Sequence, residues 1–211
     1  MLFTDRADAG RRLAVRLEHL RDDDVVVLGL PRGGVPVAAE VAAALDAPLD
    51  VILVRKLGLP FRSELAMGAV GEGDVLVLDE DLVRRAHVGD RELAEIERRA
   101  REEIERRAES FRRGRTRTPV TGRTAVLVDD GIATGATAVA ACRVARAQGA
   151  AHVVLAAPVC APDVASWLAE EVDELVCLEA PEHFRAVGQA YADFHQVPDD
   201  VVVDLVSRRV P

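Results

Sequence analysis

VLVDDGIATGAT, residues 126–137, is the stretch on which the fold turns. An apolar strand ends on two adjacent carboxylates, Asp129 and Asp130, a short Gly/Ala/Thr loop follows, and a helix-forming run comes next. The same order of strand, glycine turn and helix occurs upstream in VLGLPRGGVPVAAE, residues 27–40. Apolar runs at 25–30, 49–54, 124–128, 152–157 and 174–179 read as strands. The segments 37–45, 135–148 and 161–172 read as helices between them. Strands alternating with helices imply an α/β fold, a doubly wound and mostly parallel sheet flanked by helices.

Composition agrees. Aromatic residues make up 3 % of the chain, so Val, Ala and Leu must build the core, which suits a sheet covered on both faces. Lys and Arg number 27 against 36 Asp and Glu, a net charge of −9 that argues against nucleic-acid binding. The cysteines Cys142, Cys160 and Cys177 are widely spaced in apolar runs and read as buried thiols. The N-terminus lacks an apolar signal region and no run is long enough to span a membrane, so a cytoplasmic location is expected.

Outside the alternating frame, residues 5–21 read as a helix with Ala9, Leu13, Leu17 and Leu20 on one face. Residues 55–64 read as a polar loop punctuated by Gly and Pro, and 56–66 as a mobile cover for the site. Residues 65–70 and 75–78 read as a hairpin around GEGD. A helix is expected over 90–114, with Leu93, Ile96, Ala100, Ile104, Ala108 and Phe111 as a narrow apolar seam. Its charges predict i,i+4 pairs at Glu95–Arg99, Glu97–Arg101, Glu102–Arg106, Glu103–Arg107 and Glu109–Arg113. The helix fits a solvated element packed by its seam, a dimer arm or a lid. The whole chain, 1–211, reads as one domain with this helical insertion at about 80–113 and a small C-terminal hood at about 181–211.

The paired acids and the glycine turns carry the chemistry. A helix N-terminus beyond a strand end offers free N–H groups and a partial positive charge to an anion. Gly131 and Gly135 allow close backbone approach, Ala133 and Ala136 stay small, and Thr134 and Thr137 can donate hydroxyl hydrogen bonds. Asp129 and Asp130 would repel a phosphate placed on them. They suit vicinal hydroxyls or a hard cation such as Mg²⁺ instead. A ribose phosphate satisfies both requirements, with its diol on the acids and its phosphate in the loop. The loop is neither GxxxxGK[ST] nor GxGxxG.

Four apolar residues, two acids and GxxTGxT together resemble the phosphoribosyl pyrophosphate signature of type I phosphoribosyltransferases. LPRGGVPVA is similar to that family's pyrophosphate loop, VRKLG falls at the next strand end, and the order of elements follows the family over about 25–180. RSELAMGAV and AYADFHQV are similar to small stand-alone bacterial members whose acceptor is often unassigned.

The resemblance implies transfer of a 5-phosphoribosyl group from phosphoribosyl pyrophosphate to a nitrogenous acceptor, with Mg²⁺ as cofactor. Asp129 and Asp130 would hold the ribose hydroxyls, directly or through Mg²⁺, and Gly131 and Ala133 to Thr137 would cradle the 5′-phosphate. Arg32, Gly33 and Gly34 would bind pyrophosphate in a turn that often holds a cis non-proline peptide, with Arg55 and Lys56 reaching it from the neighbouring strand. Asp129, Asp130, Arg55 and Lys56 are the candidate catalytic set. Ala133 stands where members that salvage 6-oxopurines carry an acid, which disfavours a hypoxanthine–guanine acceptor. Phe184, Tyr191 and Phe194, with His183 and His195 nearby, are candidates either for a hood that stacks a flat acceptor or for anchoring the C-terminal segment. By analogy with the fold, a homodimer is the expected assembly. The alternative is a regulator of the same fold that binds phosphoribosyl pyrophosphate without transfer.

Overall fold

Val, Ala and Leu fill both faces of a parallel sheet, as so aromatic-poor a chain requires. The computed structural model describes residues 1–208, apart from the side chains of Ser63 and Glu64. In chain order it contains α1 (Arg6–Arg16), β1 (Val25–Gly29), α2 (Gly34–Leu45), β2 (Leu49–Val51), β3 (Val54–Leu59) and β4 (Arg62–Gly71). Then come β5 (Val75–Leu78), α3 (Glu80–Arg85), α4 (Asp90–Arg112), β6 (Thr124–Val128), α5 (Ala136–Ala147), β7 (His152–Val159), α6 (Pro162–Glu171), β8 (Glu174–Glu179) and α7 (Asp199–Ser207).

Five strands form one sheet in the order β2-β1-β6-β7-β8, parallel throughout. Alternation divides each strand between two cores. Val26, Leu28, Ala125, Leu127, Val153 and Leu155 pack under α5 and α6, while Val25, Val27, Val126, Val128, Val154 and Ala156 pack under α1 and α2. The doubly wound architecture expected from the sequence is therefore present. No helix among the described residues is long and apolar enough to cross a membrane.

The stretch 55–64 is not a loop. It belongs to two strands, β3 and β4, which pair antiparallel, with β5 beside β4. Leu57 and Met67 are buried at its centre while Arg55 and Lys56 stay exposed. Gly58, which reads as a loop signal, lies where the register shifts, as a glycine at a bulge does. The turn is confined to Pro60 and Phe61, and Phe61 is exposed. The run at 49–54 also divides, its first half pairing with β1 and Val54 opening β3. The hairpin expected over 65–78 is present as β4 and β5.

Helix α4 forms with the expected seam. Ala100, Ile104 and Phe111 are buried, and Leu93, Ile96 and Ala108 pack beside them against the β3–β4 hairpin and α7. Its charges are distributed differently from the expectation. Glu95–Arg99 and Glu97–Arg101 pair as predicted. Glu102 takes Arg98 rather than Arg106, and Glu103 leaves the helix to pair with Arg55 at 3.1 Å. Arg113 adopts a left-handed conformation, φ 47°, that ends the helix, and the expected Glu109–Arg113 pair is not formed among the described residues. Helix α7, which the sequence reading left inside the hood, buries Val202, Val203 and Val206 in the same cluster. The last three residues of the expected hood, 209–211, lie outside the described residues.

One buried network ties this second layer to the main sheet. Arg112, 4 % exposed, donates from Nε to Asp50 Oδ1 at 2.8 Å and from Nη2 to the Val51 carbonyl at 3.0 Å and Glu72 Oε2 at 2.9 Å. Asp50 Oδ2 accepts from the Thr118 N–H at 2.8 Å, so α4, β2, the end of β4 and the segment before β6 meet at one guanidinium. Removing one partner from such a cluster strands the others in low dielectric. Arg112→Ala is expected to cost about 3–5 kcal/mol. Arg106→Ala, on an exposed position of the same helix, should stay within about 0.5 kcal/mol. Urea unfolding midpoints of the two variants check this, and equal midpoints would show that the network is dispensable.

Candidate active site

Strands β1 and β6 are neighbours, yet the chain leaves them toward opposite edges, from β1 to β2 and from β6 to β7 and β8. The crevice beyond the carboxyl ends at such a reversal is where open α/β sheets bind ligands. Gly29 and Val128 are register partners, so the turn after β1 and the loop after β6 start at the same level. The two touch. A Cβ on Gly33 would stand 2.0 Å from Asp130 Oδ2, so a side chain there would require the turn or the acid to move. The peptide between Pro31 and Arg32 is cis, as the family resemblance implies. Gly34 is buried at the head of α2.

Asp129 is half-buried at the strand tip, and its Oδ1 accepts from the Asp130 N–H at 2.9 Å. Asp130 is 9 % exposed. Its Oδ2 accepts from Arg6 Nε at 2.8 Å, and Arg6 Nη2 forms an ion pair with the same oxygen at 2.8 Å. Desolvation raises both carboxyls above the ordinary carboxylate range. For Asp129 the adjacent Asp130 charge adds to the rise, and for Asp130 the Arg6 guanidinium opposes it. Arg6 offsets only part of this rise, so a further cation would favour the doubly ionised pair. The remaining oxygen of each acid has no protein hydrogen-bond donor among the described residues. Two such oxygens fit Mg²⁺, which binds through one or two carboxylates and takes further ligands from substrate phosphates and water.

Loop 131–135 closes the crevice on the other side. Gly131 is buried, whereas Ala133, Thr134 and Thr137 are exposed and Ala136 is half-buried. Gly135, at φ 71°, is the N-cap of α5 and leaves the helix without a side-chain cap, so its first-turn N–H groups remain available to an anion. The ring of Trp167 lies 2.8 Å from where a Gly135 Cβ would stand and backs this turn.

The cations sit on the β2–β3 side. A cavity of about 490 Å³ is lined by Pro31 of the first turn, Thr137 of the second, Arg55 and Lys56 of β3, and Arg107 of α4. Arg55 is held by Glu103, and Arg32 reaches Asp199 of α7 at 3.3 Å. The structure thus brings Thr137, Arg55 and Lys56 to one space. It places Asp129 and Asp130 against the Gly33 turn.

The hood residues fall into distinct roles. Tyr191 is 2 % exposed, packs on Phe3, and donates its hydroxyl to the Asp130 carbonyl at 2.6 Å, so it anchors the segment. Phe194 stacks on Tyr191 and carries the Arg6 guanidinium 4.0 Å from its ring centre, while remaining 37 % exposed. Phe184 is half-buried between two core clusters. His183 and His195 are exposed, and Arg6 Nη1 donates to the His195 carbonyl at 2.9 Å.

Three residues of the site escaped the sequence reading. Arg6 has no local signature, because its partner lies 124 positions away. Trp167 reads as one more residue of an amphipathic helix. Arg107 reads as the partner of Glu103, although its place beside the seam residues Ala108 and Phe111 hinted at an inward position.

Comparison with known proteins identifies the family. The family model described as a phosphoribosyl transferase domain matches residues 4–195. Proteins of two Mycobacterium tuberculosis strains, provisionally named phosphoribosyl transferases, are 59 % identical over 207 residues. The match takes in 98 % of this chain and 47 % of theirs, so the chain spans about half the length of the curated relatives it matches. The crystal structure of TT1426 from Thermus thermophilus superposes with a TM-score of 0.89 at 45 % identity, covering 98 % of each chain. An Aquifex aeolicus structure, at 13 % identity and TM-score 0.51 over 89 % of this chain and 82 % of that one, shares the fold. The chain belongs to the phosphoribosyl transferase domain family.

Proposed function

We propose that the protein transfers the 5-phosphoribosyl group of phosphoribosyl pyrophosphate to a nitrogenous small molecule, releasing pyrophosphate. The observation that carries this reading is the acid pair at the tip of β6, pressed against the Gly33 turn and followed directly by the uncapped head of α5. A sugar lying across the strand tip would set its diol on Asp129 and Asp130 and its 5′-phosphate on the N–H groups and hydroxyls of 133–137. Its pyrophosphate would enter the space lined by Arg55 and Lys56.

The reaction is a displacement at the anomeric carbon. The bond to the pyrophosphate oxygen breaks as the acceptor nitrogen bonds from the opposite face and gives up its proton to water, and positive charge develops on the ring in between. Fixed charge placed where charge develops is the main catalytic resource of such a site. Lys56 and Arg55 stabilise the departing anion, and the acids orient the ribose. Asp129 and Asp130 are the residues that would hold Mg²⁺, which supplies further charge neutralisation at the leaving group. The β3–β4 hairpin, with exposed Phe61 at its tip, flanks the cavity and can limit water access. Ala133 offers no acid to an acceptor ring, which favours acceptors other than 6-oxopurines.

Pyrophosphate release should require both Mg²⁺ and one member of a nucleobase and amine panel. Release without any acceptor would indicate hydrolysis, and binding of phosphoribosyl pyrophosphate without release would indicate a sensor. Asp129→Asn is expected to lower turnover about 100-fold or more while leaving the circular dichroism spectrum unchanged. Full activity in that variant would remove the ribose-binding role of the pair.

A second expectation concerns the contact of the two turns. Gly33→Ala places a methyl group against the Asp130 carboxylate, so the turn or the acid must shift. Calorimetry should show phosphoribosyl pyrophosphate affinity falling by about 10-fold or more, the loss expected from one charged contact. Wild-type affinity would mean that the acid is free to move and that the interlock is not needed.

A further inference from the structure

We propose that Arg107, supplied by α4, is a pyrophosphate-binding residue, an inference that rests on the transfer reading above. Four other arginines of α4 are committed to carboxylates, while Arg91 and Arg106 face solvent. Arg98 and Arg99 hold Glu95, Arg101 holds Glu97, and Arg112 holds Asp50 and Glu72. Arg107 has no carboxylate partner among the described residues. Glu103, its natural partner one turn back, is turned away to Arg55 at 3.1 Å. Arg107 is half-buried, with its guanidinium 5.6 Å from the centre of the Phe111 ring, and it lines the 490 Å³ cavity together with Arg55 and Lys56.

No acidic side chain lines that cavity among the described residues. Three cations therefore converge on one space without an acid inside it, and Glu103 answers only one of them, from outside. Like charges so placed repel unless an anion joins them. Their arrangement suits a polyanion. The guanidinium fork of Arg107 matches a pair of phosphate oxygens, and Lys56 adds a point charge. Thr137, of the expected 5′-phosphate loop, also lines the cavity, so one ligand could touch both the loop and α4. The seam of α4 against the hairpin fixes the helix in position, so Arg107 reaches the cavity from a packed element.

The test uses inorganic pyrophosphate and ribose 5-phosphate, each titrated calorimetrically in the presence of Mg²⁺. Arg107→Ala should weaken pyrophosphate about 10-fold or more, while ribose 5-phosphate, held by the 133–137 loop, changes by less than about twofold. Arg107→Lys should recover part of the loss, because charge returns without the fork. Arg106→Ala, one position along the helix and exposed, should leave both affinities unchanged. Unaltered pyrophosphate binding in Arg107→Ala overturns the inference, and so does equal loss of both ligands, which would mark a structural role. Wild-type protein that binds neither ligand overturns the transfer reading itself, and this inference with it.

Discussion

The contact between Gly33 and the Asp130 carboxylate is the constraint on which the site depends. It exists because β1 and β6 are adjacent and parallel, with Gly29 and Val128 in register, so their two exits must share one crevice. A side chain at residue 33 would require either the turn or the Asp130 carboxylate to shift. The sheet sets the spacing of the site, and the absence of a single Cβ lets that spacing close. Everything that follows along the chain, from the head of α5 to the cations of β3, is positioned relative to this junction.

The start of α1 and the segment around Tyr191 are also fastened to Asp130. Arg6, at the start of α1, donates from Nε to Asp130, pairs with it through Nη2, and donates from Nη1 to the His195 carbonyl. Tyr191 donates to the Asp130 carbonyl, and the backbones of residues 2 and 3 both donate to Ala190. The N-terminal helix and the hood thus form one unit over the strand tip. Phe194, lying beneath Arg6, remains partly open to solvent at the edge of that unit. Displacing Arg6 from Asp130 would also remove its contacts with Phe194 and the His195 carbonyl.

The central sheet was legible in the sequence because its signal is local. Runs of Val, Ala and Leu, each followed by a turn and an Ala-rich helix, leave little choice of architecture. The acid pair and the glycine loops were legible for the same reason, since each is a contiguous string. The β3–β4 hairpin was not, because Gly58 and Pro60 are breaker residues, and only the burial of Leu57 and Met67 against α4 overrides them. Arg6 and the Arg112 cluster depend on partners 40 to 124 positions distant, which no periodicity reports. Likewise, Glu103–Arg107 is a sound helical pair in isolation. It gives way to Glu103–Arg55 once β3 is packed alongside.

That exchange of partners follows from how α4 is anchored. Arg112 enters the core and meets Asp50, Glu72 and the Val51 carbonyl, which fixes the rotation of the helix about its axis. Five residues earlier, roughly 140° around the helix, Arg107 must then point away from that network, toward the side where β3 and the Pro31 turn lie. Glu103, one turn further back, falls beside Arg55. A buried ion cluster that contributes little to net stability against an apolar replacement can still dictate where a half-exposed cation stands. In this protein the cluster orients a helix lying outside the parallel sheet so that one of its charges faces the crevice the sheet creates.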